Sequence, residues 1–157
     1  MSFVALPEAK LHLRADSADE DALIGVYITA AEQMAIALLD RGVYADGTAL
    51  GVARAAAPAE LTAATVTYTE AIAAAQALAD ATEQAAATQA AEYAYLRAQV
   101  AYRQTMDGMV VNDAIKSSVL LIVGHLYAHR EDVVAGVSVA KLPNGAEWLL
   151  APYKVYA

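Results

Sequence analysis

Bulky apolar residues recur at helical spacing in two places. Ile24, Tyr27, Ile28, Ala31, Ala35 and Leu38 form one stripe, and Ile115, Val119, Ile122, Val123 and Leu126 form another. Each predicts an amphipathic helix with a single core-facing strip. The second is the most apolar helix of the chain and is expected at the centre of the core. Asn112 or Asp113 can cap its orphan amides. Ahead of the first stripe, the stretch DSADEDALI places Ser17 three residues before Glu20, the spacing of a capping box. Asp19, Glu20 and Asp21 also lie where a helix dipole favours negative charge. Gly42, following Arg41, is the expected stop of that helix. A shorter helix is predicted from Leu6 to Arg14, with Pro7 and Glu8 suited to its first turn and Arg14 to its last.

The middle of the chain follows a different pattern. Residues 43–58 are mixed: Asp46-Gly47 signals a turn, Pro58 a break, and at most a short helical turn fits between them. From Ala59 to Asp107 there are 49 residues without glycine or proline, 18 of them alanine. Alanine is the best helix former, so this low-complexity stretch predicts helix rather than disorder. Leu61, Tyr68, Ile72, Ala75 and Ala79 mark one seam, and Tyr93, Leu96, Val100 and Arg103 a second. Large apolar residues lapse between Asp80 and Thr88, which places the tip of an αα-hairpin there.

Gly108 closes that segment. Near the other end, Val133–Val139 is β-leaning and broken by Gly136, and reads as a flexible loop or a strand-like arm. Pro143 opens a short helix through Trp148, Leu149 and Leu150, and Pro152 stops it. The tail that follows carries Tyr153, Lys154, Val155 and Tyr156. It is too short to bury itself and too apolar for a mere solubilising end, which makes it a candidate for ordering on a partner. The predicted class is all-α: a small helical bundle with a long αα-hairpin insertion, a loop or arm, and a short C-terminal helix and tail.

Composition narrows what such a fold can do. A chain of 157 residues suits one domain with a real core. The strongly apolar run Val119–Val123 is far short of a membrane span, and the start MSFVALPEAK lacks the pattern of a secretory signal. The absence of cysteine excludes disulfides and thiolate chemistry and makes a cytosolic setting the default. A net charge of −8 argues against gripping nucleic acid through its phosphates, though not against letting DNA pass.

The stretch GHLYAHRED sets His125 and His129 four residues apart, a spacing at which two imidazoles on a helix can share a metal. A hydrolytic zinc site needs a third ligand and a placed base. The residues between the histidines are Leu, Tyr and Ala, Glu131 points to another face, and nothing in the spacing requires His12 to join them. Histidines near a helix C-terminus also favour its negative end, so a structural role is the simpler reading. Phosphate loops, nucleophile elbows and dinucleotide fingerprints are absent. The nine tyrosines suit packing and interfaces better than catalysis. The residues point to an interaction protein with no cofactor or metal, not to an enzyme.

Both ends of the chain resemble the head–tail connector family of tailed bacteriophages. The resemblance rests on EAKLHLR, the acidic DSADEDALI cap, GHLYAHRED and the ending in which LPNGAEWLLAPY places Leu-Pro, Gly, Leu-Leu and Pro-Tyr in order. It covers about residues 1–44 and 108–157, or 94 of the 157 positions. It implies a small helical virion protein that forms a homo-oligomeric ring of twelve subunits at the neck. Such a ring joins the portal protein to head-closure or tail-completion proteins, with double-stranded DNA passing through its lumen and no membrane involved. Assembly would take place in the host cytoplasm. The resemblance brings no catalytic residues, and it makes the C-terminal tail (Tyr153, Lys154, Val155, Tyr156) the expected portal contact. Asp16, Asp19, Glu20 and Asp21 are candidates for an acidic channel wall. Members of the family commonly have a much shorter connection where this chain carries residues 45–107. A small helical DNA-packaging or regulatory factor is the alternative, and the basic face it needs is not visible.

Overall fold

The computed structural model describes residues 2–129 and 145–156. Among these, six α-helices, one 3-10 turn and one pair of two-residue strands account for the regular structure. The chain is all-α. It divides into two compact units, residues 1–46 with 109–157, and residues 47–108.

The first unit is built around two helices, α2 (Asp21–Leu39) and α5 (Asp113–Ala128). Ile24, Ile28, Ala31, Ala35 and Leu39 of α2 bury the face that meets Ile115, Val119, Ile122 and Val123 of α5. Both stripes read in the sequence are therefore core stripes, with Leu39 rather than Leu38 fully buried at the end of the first. Each fully buried Ile or Leu contributes roughly 1.5–3 kcal/mol of transfer free energy. Helix α5 lies at the centre, packed against α1 (Leu6–Leu13), α2 and α6 (Gly145–Leu150). Its N-terminus is fixed by Asn112, whose side chain accepts from the Ile115 amide. The buried Ser118 hydroxyl donates to the Ala146 carbonyl at 3.1 Å and ties α6 to this helix. Helix α2 alone among the described helices is long and apolar enough to cross a membrane. Its buried residues, Glu32 in mid-helix among them, form the face it turns to the core of the unit.

The start and end of α2 differ from the sequence expectation. No capping box forms. Ser17 Oγ instead accepts from the Asp19 amide, and the Asp21 amide bonds Ala18, so a tight turn precedes a helix that begins at Asp21. Glu20 becomes the N-cap residue and its side chain makes no cap bond. At the other end Asp40, not Gly42, takes the left-handed conformation, with φ 52°. Its amide still reaches the Ile36 carbonyl, which is what a glycine cap would have supplied. Gly42 serves close approach instead: a Cβ there would stand 2.8 Å from the Tyr44 ring.

Strands β1 (Val43–Tyr44) and β2 (Met109–Val110) pair in parallel, Val43 with Met109 and Tyr44 with Val110. They mark where the chain leaves the first unit and re-enters it.

The second unit is an αα-hairpin of α3 (Gly47–Gln76) and α4 (Ala81–Met106). At 1.5 Å per residue the arms run about 45 Å and 39 Å. Three details overturn the sequence reading. Pro58 does not break the helix, because α3 starts at Gly47 and continues through it. Pro58 lies on an exposed side, where the Arg54 carbonyl that loses its partner can be solvated. The tip lies at Ala77–Asp80, earlier than the apolar lapse, because Asp80 caps α4 by accepting from the Thr82 and Glu83 amides at 2.8 and 2.9 Å. The third concerns which face of α4 meets α3. Ala91 is buried, and Ala87, Tyr95, Ala98 and Tyr102 are half-buried, whereas Tyr93, Leu96 and Val100 are exposed. Alanine lets the helices approach closely, and the Tyr68 and Tyr95 rings stack across them with centroids 4.9 Å apart. On α3 the half-buried Leu61, Tyr68 and Ile72 and buried Ala75 follow the predicted seam, but Ala79 is exposed. Arg54 closes the base of the hairpin, donating to the Gly108 carbonyl at 2.9 Å.

Asp80 gives a pH test of the tip. The Glu83 amide, and after it the Thr82 amide, hold its carboxyl below the ordinary value of 3.8. A depressed folded value means the cap contributes fully above that value and is lost as pH falls through the folded one. Asp80→Ala should speed hydrogen exchange at Thr82 and Glu83 at neutral pH and remove its acid dependence. Asp80→Ser should keep protection without that dependence. Unchanged exchange in Asp80→Ala would mean the cap does not hold the tip.

Candidate functional site

The four acidic residues singled out in the sequence do not form one free face. Asp16 and Asp19 are exposed in the turn between α1 and α2. Glu20 Oε2 accepts from the Tyr127 hydroxyl at 2.5 Å, linking that turn to the end of α5. Asp21 meets the Lys10 ammonium at 2.5 Å, and Lys10 also donates to the Ser17 carbonyl. Two of the four thus hold the turn to the helices around it, and two remain at the surface.

The C-terminal tail is more firmly seated than its length suggested. Ala151–Tyr153 form a 3-10 turn after α6. Tyr153 packs against the core, and the Val155 amide donates to the Leu39 carbonyl at 3.0 Å, satisfying a group that the end of α2 would leave open. Tyr153 and Val155 are half-buried and Tyr156 is 78% exposed. The expectation that this segment is too short to bury itself is corrected: alternate residues dock on the body, and those between them face outward. Lys154 Nζ lies 5.4 Å from the Tyr156 ring centroid. The two side chains border a shallow cleft of about 260 Å³ shared with Leu38, Glu147, Leu150 and Ala151.

His125 and His129 form a tilted ring pair with centroids 4.7 Å apart, both exposed, and the His129 amide closes α5 on the His125 carbonyl. His12 packs at Gly124, where a Cβ would stand 3.4 Å from its Nε2. Among the described residues no group of three His, Asp or Glu side chains is placed to hold a metal ion. Glu131, Asp132, the Val133–Val139 arm and Pro143 lie outside the described residues.

One functional-looking residue escaped the sequence reading. Glu32, buried on the α2 stripe, accepts from the Phe3 and Val4 amides at 2.8 and 3.0 Å through Oε1. Ser2 Oγ lies 2.8 Å from that oxygen and from the Val4 carbonyl, and its single proton serves one at a time. The carboxylate clamps the N-terminal segment so that Phe3 and Val4 join the core. A lone acid four residues after Ile28, on an otherwise apolar stripe, was the available signal. Nothing in this arrangement supplies a nucleophile paired with a base.

Neither a search of curated proteins nor one of solved structures found a match. The family of phage gp6-like head-tail connector proteins matches over residues 3–154, which takes in the hairpin as well as both ends. That family is structural rather than enzymatic, and its members are virion components of the head–tail junction. With more than nine-tenths of its length matched, the chain belongs to the phage gp6-like head-tail connector family.

Proposed function

We propose that this chain assembles into a closed ring, of twelve copies, between the portal and the tail-side neck proteins, and that the ring lines the channel for the genome. The observation that carries the reading is membership of the connector family over nearly the whole chain. In this reading residues 1–157 are one connector domain, with residues 45–107 a helical insertion within it. Identical subunits that meet head-to-tail close into a ring when the rotation closes, and each then draws stability from two neighbours. The acidic balance has a mechanical use in such a channel. A wall that attracted phosphates would hold DNA at every contact, and ejection would have to break each one. Asp16 and Asp19, with Glu20 and Asp21 behind them, are the residues assigned to that wall. A reconstruction of the virion tests the whole: density for this chain as a ring below the portal is expected, and density anywhere but the neck overturns it.

The tail is assigned to the portal contact. Tyr153 and Val155 would hold it to the subunit while Lys154 and Tyr156 reach the partner, and a ring of many weak contacts makes a tight joint. The cleanest test leaves the seated residues alone. Tyr156→Asp combined with Lys154→Glu should change the unfolding free energy by no more than about 1 kcal/mol, as two surface changes do, while portal binding and the yield of tailed particles collapse. Normal joining of heads to tails by the double variant would move the portal contact onto the helices.

A further inference from the structure

On α4 the residues facing away from α3 repeat at intervals of three and four: Ala86, Gln89, Tyr93, Leu96 and Val100, all of them exposed. Tyr93 is 64% exposed, Leu96 57% and Val100 44%, so three bulky apolar side chains line one stripe of a helix that already has its α3 contact on the opposite side. The spacing is that of a heptad seam, with Ala86, Tyr93 and Val100 at a and Gln89 and Leu96 at d. A seam of this kind needs a facing helix, and the charges beside it say which one.

In this register Glu92 occupies position g and Arg97 the following position e. The two are five residues apart, outside the three- or four-residue spacing at which side chains meet on one helix. Five is the offset that joins g of one helix to e of its neighbour when two helices lie parallel and in register. Among the described residues neither Glu92 nor Arg97 has an ion-pair partner. A second α4 laid parallel on the first would form Glu92–Arg97 twice, once on each side of the Tyr93–Leu96–Val100 seam. The other g–e pairs would be Ala85 with Ala90 and Gln99 with Gln104, none of them charged, and the next d position, the half-buried Arg103, marks where the apolar stretch of the seam ends. An antiparallel pair packing Leu96 on Val100 would instead bring the two Arg97 side chains together and lose both bridges.

The geometry points to α4 as a self-recognition surface: the hairpins of two copies of this chain pair in parallel through Tyr93, Leu96 and Val100, with register set by Glu92 and Arg97. The contact does not rest on the ring reading, since it uses a face of the insertion alone.

The test uses the full chain. Sedimentation equilibrium over a rising concentration series should show dimerisation, weakened roughly tenfold or more by Arg97→Glu, which opposes like charges at both bridges. Glu92→Arg combined with Arg97→Glu should restore it. Because the chain has no cysteine, Gln89→Cys reads orientation independently of any other assembly. Oxidised glutathione should link two copies through this symmetric position, and adding Arg97→Glu should suppress the link until Glu92→Arg recovers it. A monomer at every concentration without cross-linking, or association and cross-linking indifferent to the charge exchange, overturns the proposal.

Discussion

Replacing Leu39 with alanine should cost the first unit about 2–5 kcal/mol, the range for a fully buried leucine, and lower its melting temperature by roughly 8–40 °C, at about 4–8 °C per kcal/mol for a unit of this size. Leu39 is fully buried as the last residue of α2 and belongs to the core cluster of the first unit. Truncation removes its transfer free energy and leaves a cavity where the helix end and the C-terminal segment meet. The side chain, not the backbone, is lost, so the Val155 amide keeps its acceptor on the Leu39 carbonyl. Leu39→Met, close to volume-conserving, should recover most of the loss and stay within about 1.5 kcal/mol of the parent. Urea unfolding followed by circular dichroism measures both. A cost below about 1 kcal/mol for the alanine variant would place this residue outside the core.

Glu32→Ala should cost about 3 kcal/mol, because it leaves buried amides without an acceptor rather than merely deleting a contact. Phe3 and Val4 are both buried, and their amides share one carboxylate oxygen. Without it the segment can satisfy them only by moving into water, which exposes both side chains. Glu32→Gln keeps an oxygen acceptor and should lose about half as much, since bonds to a charged group are the stronger ones. The expected signature is local as well as global: amide exchange at Phe3 and Val4 should accelerate well beyond that of the α5 core. Exchange there as slow as in the parent chain would show that apolar packing alone holds the N-terminus.

The core of the first unit was legible because its two stripes have a single answer: Ile24, Ile28, Ile115 and Val119 have nowhere to go but against each other. The all-α class and the hairpin followed from the same periodicity. The capping box failed because Ser17 has a nearer partner in the Asp19 amide, and local side-chain-to-backbone bonds compete with the helix terminus they resemble. Pro58 failed because propensity is a weak prior against a long alanine-rich helix with the proline turned to water. The α4 seam failed for a more instructive reason. That helix has two faces fit for packing, one of alanine and tyrosine and one of Tyr93, Leu96 and Val100. Periodicity reports both and cannot say which the intramolecular neighbour takes; close approach to α3 selects the smaller side chains. The tail was misjudged because the open carbonyl at the end of α2 that receives Val155 belongs to a residue more than a hundred positions away.

The two-residue strands carry a consequence for how such a chain changes over time. Val43 pairs with Met109 although 65 residues separate them, so departure and return share one small gate. The end of β1 and the start of β2 lie on adjacent strands one residue out of step, about 6 Å apart, and because the strands run parallel the shortest connection is a crossover of roughly a dozen residues. A gene could therefore acquire, lengthen or shed the intervening segment as a cassette, with the burial of Ile24, Leu39 and Ile115 unaltered on either side. Length variation at this point is nearly free of folding cost, and selection can act on what the segment touches rather than on whether the protein survives its presence.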